Sequence, residues 1–165
     1  VKKLQTVFIA LTTVVVVALV GRTIIRNADW LSPEALWTST IQVSPSSSNA
    51  HNNMGDVYAR RNDYVNAAKE FQIATELQPG DADPRHNLGI ALTILKKYPE
   101  AIDAYLSALQ ISPTLYKTHQ NLGVVYYTMK KYPEAVDHLS KALQYGPPNP
   151  AISKLLIEVR SLMGK

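Results

Sequence analysis

Three glycines recur at one constant interval: Gly55, Gly89 and Gly123. The surrounding sequence repeats with them, as MGDVY at 54–58, LGIAL at 88–92 and LGVVY at 122–126. Ala67, Ala101 and Ala135 keep the same interval, and so do Pro79, Pro113 and Pro147. A chain that repeats every 20–50 positions or so folds as stacked copies of one supersecondary unit, because no single copy can bury its own apolar face.

The units are Ser48–Asp81, Ala82–Leu115 and Tyr116–Asn149. Each encodes two antiparallel helices. In the first, Met54/Tyr58, Leu88/Leu92 and Leu122/Tyr126 stand one turn apart and share a face. In the second, Ala67-Phe71-Ala74, Ala101-Tyr105-Ala108 and Ala135-Leu139-Ala142 form the matching stripe. A glycine inside a helix costs about 1 kcal/mol relative to alanine. Its recurrence at one phase implies a crossing helix that leaves no room for a Cβ. The YPEA segments (Pro99-Glu100, Pro133-Glu134) open second helices, with proline in the first turn and an acid on the positive dipole end. Lys96-Lys97 and Lys130-Lys131 are expected to close the preceding helices, where cations suit the dipole.

The flanks are less regular. Trp30, Trp37 and Pro45 stand one repeat length before Tyr64, Phe71 and Pro79. Ser32 to Val43 reads as a shortened second helix, with Ser32 as N-cap and Pro33 first, so residues 29–47 form a half repeat. After the turn at Pro147-Pro148-Asn149-Pro150, residues 150–165 carry Ile152, Leu155, Leu156, Val159, Leu162 and Met163 at helical spacing, as a terminal capping helix should. Leu4 to Val20 holds no charge and lies between Lys2-Lys3 and Arg22. It sits at the lower length limit of a membrane span, so residues 1–28 are read as an anchor with its juxtamembrane segment. A cleaved secretory signal and a buried helix stay open as alternatives. Two basic residues on each side leave its orientation undetermined.

Charge and composition narrow the function. Net charge is +4 without a dense Lys/Arg cluster, which argues against a nucleic-acid partner. Cysteine is absent, so disulfides and thiol chemistry are excluded. Gly-x-Ser-x-Gly, the phosphate-binding loop and His-Glu-x-x-His are all missing. His51, His86, His119 and His138 show no helical i,i+4 pairing. The expectation is no enzyme, no cofactor and no metal site.

One polar pattern stands out. Asn53, Asn87 and Asn121 occupy the sixth position of successive repeats. On the face of the first helix opposite the packing stripe, they would form a ladder along a groove. A carboxamide carries both donor and acceptor and can hold a peptide backbone without selecting side chains. The bland alternative is that these asparagines cap or bridge neighbouring helices. The other groove positions by this geometry are Asn52, Asp56, His86, Ile90, Gln120, Val124 and Tyr127, polar in the first repeat and more apolar in the third.

Residues 48–149 resemble tetratricopeptide repeats, with a Leu-Gly-x-x-Tyr core, a later alanine and aromatic, and a closing proline. The match departs at the early tryptophan, here His51, Arg85 and His119, and at the second-helix aromatic, here Leu139 in the third repeat. The resemblance implies an all-α solenoid: three helix-turn-helix repeats and a capping helix, preceded by a transmembrane helix and a half repeat. The asparagine ladder is similar to that of O-GlcNAc transferase repeats, which implies peptide-backbone binding. The carboxylate clamp of chaperone-binding repeats fits poorly: Asn52, Asp56, Asn87, Lys117 and Asn121 stand at its positions, and Asp56 would repel a carboxylate. Arg22, Arg26, Asn27 and Trp30, within RTIIRNADWLSPEALW at 22–37, resemble a segment of the transmembrane and tetratricopeptide repeat-containing O-mannosyltransferases and their bacterial relatives. That likeness implies an extracytoplasmic repeat domain at the C-terminal part of a membrane glycosyltransferase, with the catalytic carboxylates elsewhere. The leading expectation is a membrane-anchored scaffold that binds an extended segment of a partner protein. The alternatives are the substrate-binding tail of such a transferase and an accessory subunit of a larger membrane complex.

Overall fold

Short polar side chains set where most helices begin. In the computed structural model, which describes the backbone of residues 2–28 and 32–164 and the side chains of 11–24 and 32–164, Ser32 caps α2 (Pro33–Val43) by accepting from the Ala35 amide at 3.1 Å. Ser47 caps α3 (Ser48–Arg60) and Asp63 caps α4 (Tyr64–Leu77) in the same way. Asp81 caps α5 (Ala82–Ile94), and Asn149 caps α9 (Pro150–Met163) through two backbone amides. Each cap satisfies donors that a helix start leaves open. The second helices α6 (Tyr98–Ile111) and α8 (Tyr132–Tyr145) start from Lys97 and Lys131 without a side-chain cap, and carry proline in the first turn instead. The remaining helices are α1 (Lys2–Ala28) and α7 (Tyr116–Thr128). No strand occurs among the described residues.

The chain divides into two compact units, Val1–Pro45 and Ser46–Lys165. In the first, α1 is one 27-residue helix. The membrane span expected over residues 4–20 falls partly on residues whose side chains lie outside those described, as do Arg26, Asn27 and Trp30. Among the described residues, no helix is long and apolar enough to cross a membrane.

In the second unit α3 packs on α4, α5 on α6 and α7 on α8, and each hairpin joins the next through α4 on α5, α6 on α7 and α8 on α9. The stripe alanines Ala67, Ala101, Ala135, Ala74 and Ala108 are wholly buried. They let the helices approach, while Phe71, Tyr105 and Leu139, also buried, cover the facing glycines. A Cβ built on Gly55 would lie 2.6 Å from the Phe71 ring, and one on Gly123 would lie 2.7 Å from Leu139 Cγ. At Gly89 it would meet the ring of Tyr105.

Each hairpin reverses through one residue with left-handed backbone: Asn62 at φ 62°, Lys96 at 59° and Lys130 at 58°. The following amide reaches back five residues, from Asp63 to Tyr58 O, Lys97 to Leu92 O and Lys131 to Tyr126 O, which closes a Schellman turn. The lysine pairs therefore lie beyond α5 and α7 and do not close them. The first lysine of each pair is the reversal residue, in a position where glycine would be less strained.

Helix α9 starts at Pro150, one repeat length after the start of α7 at Tyr116. It is thus the first helix of a further repeat. Its counterpart of the crossing glycine is Ile157, which is 69% exposed; no helix crosses there, so a branched side chain is tolerated.

The glycine contacts yield a direct expectation. Gly89→Ala forces a methyl into the buried Tyr105 ring, and overpacking of this kind costs about 1–3 kcal/mol. Chemical denaturation should show that loss, although alanine is the better helix former. A variant as stable as the parent would mean that the ring yields freely.

Candidate functional site

The first helices α3, α5 and α7, continued by α9, present one side to the second helices and leave the other accessible. The buried side holds Met54, Leu88, Leu122 and the three glycines. The residues expected to line a groove lie on α3, α5 and α7, and of these Ile90 and Tyr127 pack partly against the core. Asn52, Asn53, Asp56, His86, Asn87, Gln120, Asn121 and Tyr127 are each half-buried.

The structure joins some of these residues and leaves others separate. Asn87 Nδ2 donates to Asn52 Oδ1 at 3.1 Å, which links α5 to α3. The His86 ring lies 2.8 Å from Thr118 Oγ1 and links α5 to α7. The Tyr127 hydroxyl donates to Glu158 at 2.7 Å and links α7 to α9. Asn53 turns back onto its own helix, donating to Asn49 O at 2.7 Å. The Asn121 side chain lies close enough to the Tyr105 hydroxyl to favour its ionised form. Thr93 spends its proton on Gly89 O at 2.7 Å, so Tyr105 donates to Thr93. Burial pushes the Tyr105 phenol up to about 12. The three asparagines thus hold equivalent positions with three different partners. Burial raises the Asp56 carboxyl above the usual carboxylate range, and Arg60, one turn away, partly offsets this.

Sequence spacing gave no sign that two histidines converge. His119 Nδ1 and His138 Nδ1 lie 2.9 Å apart, between α7 and α8. His119 Nε2 donates to Pro113 O at 3.0 Å, so in the neutral pair its Nδ1 accepts from His138. Tyr126 stacks on His138 at 5.5 Å. The pair lines a cavity of about 410 Å³ with Gln110, Lys141 and Tyr145. The overlooked signal is an interval of 19 residues, which also brings His51 to Glu70 at 2.7 Å in the first hairpin. Among the described residues, no group of three or more His, Cys, Asp or Glu could hold a metal ion.

Burial, with the neighbouring His119, depresses His138 to about 4, while Asp137 acts the other way and Lys141 adds to the depression. A folded histidine with lowered affinity for protons contributes stability above its unfolded value near 6.5, and loses it as pH falls towards 4. The melting temperature should therefore drop across that window. His138→Gln, whose amide can still donate to His119, should drop less. Parallel curves for the two proteins would show that the pair does not titrate in this way.

Stacked helical hairpins with an accessible row of first helices define a helical-repeat solenoid. Two family models described as tetratricopeptide repeat match residues 81–145 and 34–82, so residues 34–145 are tetratricopeptide repeats. No curated protein matches the sequence, so the likeness of residues 22–37 to the O-mannosyltransferases finds no counterpart there. Two solved structures share the fold. One is the first tetratricopeptide domain of Spaghetti (RPAP3), solved bound to the HSP90 peptide SRMEEVD. It is 18% identical over 72% of this chain and 94% of that one, with a TM-score of 0.69. The other is MamA, 18% identical over 78% of this chain and 75% of that one, with a TM-score of 0.74.

Proposed function

We propose that the chain is a protein-interaction scaffold that holds an extended segment of a partner along the accessible side of α3, α5, α7 and α9. The observation that carries this reading is the set of equivalent carboxamides Asn53, Asn87 and Asn121, one per complete hairpin and each half-buried. An amide offers two donor hydrogens and an acceptor. Asn87 commits one hydrogen to Asn52, and the groups that remain suit a peptide backbone. A peptide occupies the related Spaghetti domain, which supports a peptide as ligand class. The acidic tail of that peptide is a poor guide to this chain, because Asp56 stands among the groove residues.

The test pans a library of random short peptides displayed on phage against the whole protein, then compares the enriched peptides on the parent and on Asn53→Ala/Asn87→Ala/Asn121→Ala. Three lost hydrogen bonds at about 0.5–1.5 kcal/mol each should weaken binding by tenfold or more, with helical content unchanged. Equal affinity would remove the ladder from the mechanism.

Attachment to a membrane through α1 is proposed beside it. Val14, Val15, Val16 and Val17 are 56–67% exposed, and four consecutive helical residues point around the whole circumference. A helix apolar on every side calls for an apolar surrounding. Flotation with phosphatidylcholine vesicles should carry the protein upward, and Val16→Lys/Val20→Lys should leave it at the bottom of the gradient. If the parent also stays at the bottom, the attachment reading falls.

A further inference from the structure

The ninth position of each rung runs as a separate row beside the asparagines. Counted from the helix starts at Ser48, Ala82, Tyr116 and Pro150, it holds Asp56, Ile90, Val124 and Glu158. The row is acidic at both ends and apolar in the middle. Val124 is 37% exposed, and Ile94, one turn beyond Ile90, is 47% exposed. Ile90 itself is half-buried and packs partly against the core. Asp56 is half-buried and Glu158 exposed. The rungs are tied as neighbours by the Asn52–Asn87, His86–Thr118 and Tyr127–Glu158 contacts.

We infer that this row selects a peptide with basic side chains at its two ends and two apolar side chains between them, each spaced by roughly three residues. Neighbouring helices lie about 8–10 Å apart, and an extended chain rises about 3.3 Å per residue. Successive rungs therefore meet roughly every third ligand side chain. Opposite charge supplies the choice at the ends. A ligand cation near Asp56 adds to Arg60 in offsetting the burial that disfavours this carboxylate, and the exposed aliphatic surface in the middle is covered by the ligand's own. This inference rests on the scaffold reading above: the asparagines hold the backbone, and the neighbouring row reads side chains.

The probe is a set of synthetic peptides, acetylated and amidated, measured by fluorescence anisotropy against the whole protein. RSSLSSLSSR has the proposed pattern, ESSLSSLSSE reverses the end charges, and RSLSSSSLSR moves the leucines out of register. The first should bind at least tenfold more tightly than either of the others at low salt, with the charge preference shrinking as salt is raised. In Asp56→Lys/Glu158→Lys the preference between the first two should invert. If all three bind the parent alike, or none binds while the phage library yields peptides without this pattern, the inference is overturned and the scaffold reading stands. If the library also yields nothing, both fall.

Discussion

Each hairpin is held by a backbone running directly beneath a side chain of the partner helix. Gly55 lies under Phe71, Gly89 under Tyr105 and Gly123 under Leu139, at separations that no Cβ would permit. The contact fixes how closely the two helices approach, and the fully buried alanines on either side allow it. Helix separation in turn fixes the tilt of the next hairpin, since α4 packs on α5 and α6 on α7. One steric condition, repeated, therefore sets the pitch of the rungs and the spacing of everything displayed on them.

This condition spends only one side of each first helix. Packing holds the glycine side constant, whereas the accessible side needs only to be compatible with helix and solvent. That freedom shows in the polar contacts. Asn87 reaches to the preceding rung, Asn121 reaches inward to Tyr105, and Asn53 folds back on Asn49. The Tyr105 hydroxyl also ties the core to the displayed surface, because the ring that covers Gly89 carries an oxygen that meets Thr93 and lies beside Asn121. Moving that ring would disturb the third member of the asparagine row.

Periodicity made the hairpins legible, because glycine, alanine and proline each mark a steric requirement that no other residue meets as well. It was less informative about turns. Lys96 and Lys130 look like helix-ending cations in sequence, yet they adopt left-handed backbone, which a lysine does not advertise. The His119–His138 contact was missed because i,i+4 spacing describes one helix, whereas their much longer separation in sequence joins two helices of one hairpin. Phase alone can also mislead. Gly21 stands one repeat length before Gly55, but nothing lies within 4 Å of where its Cβ would be. A recurring residue reports packing only when its partner recurs and meets it. The asparagine row was legible as a position, but the partners of its amides depend on side-chain reach, which the sequence does not encode simply.

Helix α9 shows how the same register can be kept while its purpose changes. It repeats the phase of α3, α5 and α7 and buries Ile152, Leu156 and Val159 against the last hairpin. Ile157 replaces the crossing glycine, and Arg160 stands where Tyr58, Leu92 and Tyr126 stand in the repeats. Ile157 and Arg160 are both exposed, while the side continuing the row of first helices is retained through Tyr127 and Glu158. Covering the apolar face of the third hairpin and extending the displayed surface by one rung place no conflicting demands on a helix, since they use different sides of it. Among the described residues the accessible row therefore has four positions against three complete hairpins, and its fourth side chain is a carboxylate.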